Sequence, residues 1–217
     1  MQGNFNETLD EFKIRWVEIH WEREPFPIGS EEKIRKMHRD GLKLTVHAPY
    51  KNIDLKDTSR IFRSIEIARD IDSPVLVVHP WNNPSLLEKI CRKADDLGVQ
   101  VALEVMEKEI PALIYDLESL KRTAEGLGCG VCIDFSHLLS RGQSIKEWIR
   151  GLEGLIIHAH ISDGAPARPH CPMGEGNLKK EAKTISPFLS GFKGLCILEG
   201  TSNDLKQSLT KLAELLK

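Results

Sequence analysis

Six successive apolar runs of this chain close on a side chain that can bind a cation or move a proton. His47 ends LTVHAPY, His79 ends VLVVHP, Glu104 lies in VALEV, Asp134 and His137 lie in CIDFSHL, His160 lies in HAHISD, and Glu199 ends CILEG. Imidazole nitrogen with carboxylate oxygen is a donor set for zinc or manganese, and the same groups act as general acids and bases. Taken singly, a histidine at a strand end is more often a hydrogen-bonded structural residue than a ligand. A glutamate inside an apolar run fits that explanation less well, because an unpaired buried carboxylate is expensive. Six such residues on six consecutive runs point to one shared centre, and clustered buried acids call for a compensating cation. The segment 156–178, IIHAHISDGAPARPHCPMGEGNL, adds His158, Asp163, Arg168, His170 and Cys171. His158 lies two residues before His160, on the same face and one layer deeper, which suits packing or support behind a ligand.

A shared centre needs a fold that gathers strand ends. The β-rich runs are read as strands at Ile14–His20, Leu42–Ala48, Val75–His79, Val99–Val105, Val131–Phe135, Leu155–Ile161 and Leu195–Glu199. Between them lie helical patterns. Ser59–Asp70 places Ile61, Phe62, Ile65 and Ala68 on one face, and Leu86–Leu97 does the same with Leu86, Leu87, Ile90, Ala94 and Leu97. Ala112–Gly126, Ile145–Leu152 and Asp204–Leu216 follow, while KIRKMHRD around His38 reads as a basic surface helix. Gly41, Pro74, Gly98, Gly128, Gly130, Gly154 and Gly194 mark joints. Nearly continuous apolar strands alternating with helices indicate a parallel sheet covered by helices, either a barrel or a doubly wound sheet. No Gly-x-Gly-x-x-Gly follows the first strand, and the glycines at 126, 128 and 130 precede a strand, so they fit a helix stop better than a phosphate cradle. In a barrel the C-terminal strand ends meet at one mouth, where active sites sit. With no linker or shift in composition, residues 1–217 are read as a single domain.

The bulk numbers narrow the function classes. A chain of 217 residues, 41% hydrophobic and 29% charged, can bury a full α/β core. Its net charge of −2 gives no global basic field for nucleic acid. Runs such as Val75–Val78 and Leu155–Ile157 are too short to span a bilayer, so no membrane partner is expected. MQGNFNETLDEF lacks the basic-then-apolar pattern of a signal peptide, and five cysteines, an odd number, suit a reducing cytoplasm. Cys129-Gly-Val-Cys132 has the spacing of a redox or zinc pair, but no second pair exists and Cys132 falls inside a strand, so packing is expected. Trp21 and Trp81 sit just beyond strand ends, where aromatic walls of ligand pockets lie, and His20 and Glu22 sit on the same rim.

The ordered set HAPY, VVHP, LEV, IDFSH, HISD, GEGN and LEG resembles the endonuclease IV and xylose isomerase-like TIM-barrel superfamily from about Trp16 to the C-terminus. Each motif alone is weak, and their order and spacing together are specific. The resemblance implies an α/β, TIM-type (β/α) barrel with its active site at the C-terminal mouth. It implies a metal square of Glu104, Asp134, His160 and Glu199, as in the sugar isomerases and epimerases. His47, His79, His137 and His170 match the extra histidines of the endonuclease IV branch. There Glu104 would bridge two metals, with His47 and His79 on one, and His137 and His170 would serve a third. Arg168 stands where that branch has the third metal's aspartate. A protonated guanidinium cannot ligate, so Arg168 is assigned to a phosphate or carboxylate of the substrate instead.

Three functions follow as expectations. The leading one is an endonuclease IV-like, metal-dependent phosphoester hydrolase acting on abasic-site DNA, favoured by His47 and His79. The alternative is a metal-dependent isomerase or epimerase of a sugar or small sugar phosphate, with Glu104 and Glu199 exchanging protons with carbon. A non-catalytic metal- or ligand-binding barrel is third. Zinc is the expected divalent ion, with manganese or magnesium as alternatives, and His170, Arg168 and Trp81 are the expected substrate contacts. Only seven strands are legible where the family barrel has eight, with a helix-like MQGNFNETLDEF before them. The barrel is therefore expected to be truncated at its N-terminus, with a seam between the strands of Glu18 and Glu199 that a homodimer would cover.

Overall fold

The structure, a computed structural model, describes residues 16–20, 30–49, 58–107, 111–199 and 205–215. Strands β1 (Trp16–His20), β2 (Lys43–His47), β3 (Val75–Val78), β4 (Gln100–Glu104), β5 (Gly130–Asp134), β6 (Ile156–Ile161) and β9 (Leu195–Leu198) form one sheet in that spatial order. Every neighbouring pair is parallel. Helices α1 (Ser30–Arg39), α2 (Ser59–Asp70), α3 (Pro84–Asp96), α4 (Leu117–Leu127), α5 (Phe135–Ser140), α6 (Ile145–Gly151), α7 (Ala182–Gly191) and α8 (Leu205–Leu215) lie between or after the strands. The sheet curls into a nearly closed barrel. β1 and β9 are its two edges, with no ladder between them among the described residues, yet His20 Nε2 and Glu199 Oε1 approach to 3.7 Å across the seam. The readings placed on residues 1–15, including the first two residues of the expected first strand, lie outside the described residues, as do those on Trp21 and Glu22.

The helices form where their apolar stripes meet the sheet. α2 buries Ile61, Ile65, Ile67 and Ala68, and α3 buries Leu86, Leu87, Ile90 and Ala94. At the start of α3 the Asn83 side chain accepts from Leu86 N–H, and Pro84 takes the first turn, where its missing N–H costs nothing. These helices and the outward side chains of the strands make one large core, and a smaller cluster of Val75, Val77, Ala102 and Cys132 fills the barrel. The two cysteines of the Cys129–Cys132 spacing therefore face different surroundings, with Cys129 packed against the outer core. All five cysteines are free thiols. No helix among the described residues is long and apolar enough to cross a membrane.

Two local expectations are corrected. The helix expected over Ala112–Gly126 begins only at Leu117, because Asp116 caps it through Ser119 N–H. Leu113 instead forms a bridge with Trp81, and Gly128 ends the helix with φ 64°, a left-handed stop that glycine adopts without steric cost. The strand expected over Val131–Phe135 stops at Asp134, and α5 starts at once, because the Asp134 side chain accepts from His137 N–H at 2.8 Å. The segment after HISD, to which the sequence assigned no element, forms an antiparallel hairpin, β7 (Asp163–Ala165) with β8 (Arg168–Cys171), followed by a short 3-10 helix, Leu178–Glu181.

Candidate metal centre

Alternation along the strands decides which side chains enter the barrel. Because successive side chains point to opposite faces, Glu18 and His20, Thr45 and His47, Ala102 and Glu104, Cys132 and Asp134, and His158 and His160 share the inward side. The second member of each pair lies at the C-terminal end, and the strand registers bring these ends together. His20 pairs with His47, and Asp134 with His160. One ligand atom each from Glu104, Asp134, His160 and Glu199 lies within 4.8 Å of the others, and so do ligand atoms of His47, His79 and Glu104. Glu104 belongs to both groups. Its Oε1 lies 3.1 Å from His160 Nδ1, and its Oε2 lies 3.1 Å from His47 Nε2 and 2.9 Å from His79 Nε2. Among these residues only Glu199, at 23% side-chain exposure, opens appreciably to solvent.

The donor set fits a cation. His47 Nδ1 sits 2.8 Å from the Ala48 carbonyl, an obligate acceptor, so that nitrogen carries the proton. In a neutral ring the Nε2 lone pair then faces the Glu104 carboxylate at 3.1 Å, a repulsive arrangement unless a proton or a metal ion lies between. Asp134 Oδ1 is spent on the α5 cap, while its Oδ2, like Glu199 Oε2, is buried with no hydrogen-bond partner. Two orphaned carboxylate oxygens beside a shared glutamate and an imidazole are what a divalent ion would satisfy.

Without an ion, the charges lean on one another. Burial alone would raise the Glu104 carboxyl, but the charge of His47 and the contacts from His160, His47 and His79 outweigh it and hold Glu104 well below the ordinary carboxylate range. Burial works against a charged His47 as well, yet Glu104 at its Nε2 pushes that imidazole up to about 9. Glu199 moves the other way. Burial, with the nearby charges of Asp134 and Glu104, raises it despite His160. His20, stacked on His47 with ring centroids 4.6 Å apart, is lowered to about 3 by burial and the His47 charge.

A third group was only half legible in the sequence. His137 and His170 do meet, Nε2 to Nε2 at 3.0 Å, and Glu107 supplies a carboxylate 3.9 Å from His137 Nε2. His137 Nδ1 lies 2.7 Å from the Val105 carbonyl, so its Nε2 lone pair faces this group. His170 holds φ 52°, a left-handed conformation costly for a bulky residue, and its Nδ1 lies 3.3 Å and 3.2 Å from the Ser136 and Ser162 hydroxyls. Glu107 escaped the sequence reading because VMEKE looks like a solvated charged loop. Its only signal was its place three residues past Glu104. Arg168 is exposed on β8 and makes no ion pair among the described residues. Trp81 is buried beside His79, with ring centroids 6.5 Å apart.

Two further acids sit behind these groups. Asp163 accepts from the backbone N–H of Gly164, Gly174, Gly176 and Leu178 at 2.8–2.9 Å, so it ties the hairpin to the following turn and has no oxygen left for a metal. Glu18, which in the sequence only marks the strand at the seam, has its side chain buried beneath His160 and His158.

Metal uptake at this centre should release protons. Ligating imidazole must be neutral, and His47 with a pKa of about 9 is protonated at pH 7 in the metal-free protein. Because this value is raised in the folded state, the His47–Glu104 pair stabilises the metal-free fold fully below pH 6.5, and that stabilisation fades as pH rises through about 9. Metal competes with that proton, so zinc affinity is expected to climb from pH 6 to pH 8. Calorimetric titration in buffers of different ionisation enthalpy measures the proton count, and uptake without proton release at pH 7 would contradict the assignment.

Comparison with known proteins agrees with the architecture. The family model described as xylose isomerase-like TIM barrel matches residues 7–217. An uncharacterised protein of Methanocaldococcus jannaschii is 28% identical over 169 residues, which cover 63% of this chain and 57% of that relative. The match therefore spans less than two thirds of the relative's length. A D-tagatose 3-epimerase-like protein superposes with a TM-score of 0.78 at 24% identity, over 97% of this chain and 91% of that one. The D-psicose 3-epimerase of Clostridium cellulolyticum H10, solved with D-tagatose, gives a TM-score of 0.70 at 16% identity, over 100% and 94%. At these identities the likeness is one of fold.

Proposed function

The chain belongs to the xylose isomerase-like TIM-barrel family, and from that premise we propose that it is a divalent-metal-dependent isomerase or epimerase of a sugar or small sugar phosphate. The observation that carries this reading is the meeting of Glu104, Asp134, His160 and Glu199 at the barrel mouth, where two glutamates of opposite tendency flank one centre. The epimerase folds among the structural neighbours support it over the hydrolase favoured by the sequence motifs. Glu104, Asp134, His160 and Glu199 would hold the ion, and imidazole with carboxylates suits zinc or manganese. When bound, the ion polarises the carbonyl and hydroxyl of the substrate.

The chain's own groups handle the protons. Glu104, held ionised, takes the proton from the carbon next to the carbonyl. Glu199, whose carboxyl is raised, returns one to that carbon from the other side, inverting it. Return to the former carbonyl carbon instead, with the hydroxyl proton passing from the neighbouring oxygen to the old carbonyl oxygen, moves the carbonyl, which is isomerisation. Buried Trp81 and the pair His137–His170 flank the centre and would grip the remainder of the sugar, and exposed Arg168 would meet a phosphate at its far end.

The test is solvent exchange. The metal-loaded protein is incubated in D2O with a panel of ketoses and ketose phosphates, and the deuterium content of the carbon beside the carbonyl is read by NMR. Deuterium uptake with interconversion of the sugars is expected. A second reading, phosphoester hydrolysis, is favoured by the group His47, His79 and Glu104, which shares its carboxylate with the first and would place two ions side by side. Abasic-site DNA is therefore the parallel substrate, although a net charge of −2 offers little for the phosphate backbone. Cleavage without exchange would replace the isomerase by the hydrolase. Neither activity from a metal-loaded protein would leave a ligand-binding barrel.

A further inference from the structure

Below the metal centre the barrel interior is apolar where Val75, Val77 and Ala102 fill it, but polar on the side of β1, β2 and β6, where packing alone would make it apolar as well. Thr45, Cys132, His158 and His160 are almost fully buried there, and so is the side chain of Glu18, at 1% exposure. Glu18 Oε1 lies 2.8 Å from His160 Nε2, and Glu18 Oε2 lies 3.0 Å from His158 Nε2. The Thr45 hydroxyl donates to Glu18 Oε2 at 3.0 Å and fixes the carboxylate from the neighbouring strand. Neither imidazole contact is in line with its ring N–H, so both stand as close pairs and not as aligned hydrogen bonds.

The His160 ring has two jobs at its two nitrogens. Nδ1 faces the centre, 3.1 Å from Glu104 Oε1, 3.3 Å from Glu199 Oε2 and 3.8 Å from Asp134 Oδ2. A ligand at that position must offer the Nδ1 lone pair, so the ring proton must sit on Nε2. That nitrogen is buried away from water, and a buried N–H without an acceptor is costly. The Cys132 thiol, also beside this ring, is a weak acceptor. Glu18 is a strong one.

We propose that Glu18 is the positioning residue of the centre: its carboxylate takes the His160 Nε2 proton contact, fixes the ring with Nδ1 toward the metal, and braces the ring from below through His158. The inference rests on reading His160 as a metal ligand and deepens that reading. Carboxylates behind ligating histidines act in this way by orienting the ring and raising its basicity. Here the brace also links β1 to β6, and among the described residues β1 is an edge strand with no ladder to β9, so the brace ties that strand to the centre.

The test uses the full chain and three variants: Glu18→Leu, Glu18→Gln and Cys132→Ala. Zinc affinity is measured by competition with a chromophoric chelator, with circular dichroism and thermal melting reporting the fold. Glu18→Leu is expected to weaken zinc binding by about 10–100-fold. Glu18→Gln, which keeps one acceptor oxygen, should lie between it and the wild type, and Cys132→Ala should leave affinity unchanged. A readout independent of metal is the nitrogen-15 spectrum of the imidazoles. In the metal-free wild type, where His160 Nδ1 donates to Glu104, the ring should also carry a slowly exchanging proton on Nε2, and Glu18→Leu should expose that proton to exchange or remove it. If the wild type binds no metal, the ligand reading falls, and the Nε2 proton still decides whether Glu18 positions the ring. A bare His160 Nε2 in the wild type, an Nε2 proton that responds to Cys132→Ala and not to either Glu18 variant, or a folded Glu18→Leu that binds zinc like the wild type would overturn the proposal. Should Glu18→Leu fail to fold, Glu18→Gln and the wild-type spectrum carry the decision.

Discussion

Glu104→Gln is expected to abolish both metal retention and turnover, with a loss of at least about 10²–10⁴-fold in kcat/KM from the missing proton carrier alone. The reason is the position of this carboxylate between three imidazoles, with Oε1 at His160 and Oε2 shared by His47 and His79. An amide has one acceptor oxygen and must turn its NH2 toward His160 or toward the His47–His79 pair. Either choice sets an N–H donor where a metal or a protonated ring requires an acceptor. The effect is readable without substrate. The His47 imidazole, held at about 9 largely by Glu104, should fall back toward its ordinary range in the metal-free variant. Metal analysis after dialysis, a histidine NMR titration and the exchange assay check the three consequences. A variant that keeps a full complement of metal and wild-type exchange would remove Glu104 from the centre of the chemistry.

The largest stability effect is expected at Asp163, outside the metal groups. Its two oxygens collect four backbone N–H groups, two of them on the buried residues Gly164 and Leu178. Asp163→Ala strands those two donors away from water, at a cost of roughly 2–6 kcal/mol for the pair. For a chain of this size, that corresponds to a melting temperature lower by about 4–24 °C. The damage should concentrate in the segment that carries His170, so hydrogen exchange over residues 164–178 is the local readout. Gly176→Ala tests the same knot from the other side, because a Cβ there would overlap Asp163 Oδ1 and the Gly164 carbonyl. If Asp163→Ala melts like the wild type and exchange in this segment is unchanged, the four bonds do not hold the hairpin in solution.

The sequence by itself determined the alternation of strand and helix and the residues that end each strand. The reason is local. Period-two runs and amphipathic stripes are written into consecutive residues, and a strand that leads into a turn leaves its last inward side chain at the rim. His47, His79, Glu104, Asp134, His160 and Glu199 were legible for that reason, and the barrel gathers them as its strand ends meet. Where a single side chain set a boundary, the pattern misled. The Asp134 cap turned the end of a strand into the start of a helix, and the Asp116 cap delayed another helix by several residues.

Only the tertiary structure decided which side chains share a volume. Glu107 joins His137 and His170 because the turn after β4 folds over the start of α5, and no spacing along the chain encodes that approach. Asp163, a plausible ligand by its chemistry, is consumed by backbone donors up to fifteen residues away, so its role is structural. Glu18 entered the sequence reading only as a marker of the strand at the seam, with no role assigned to it. It lies under His160 because curling of the sheet brings edge strand β1 up to β9, the neighbour of β6, so that the inward side chains of β1 and β6 meet, a proximity that exists only once the sheet has closed. Local periodicity sets what each strand presents, and closure of the sheet sets what each presented group meets.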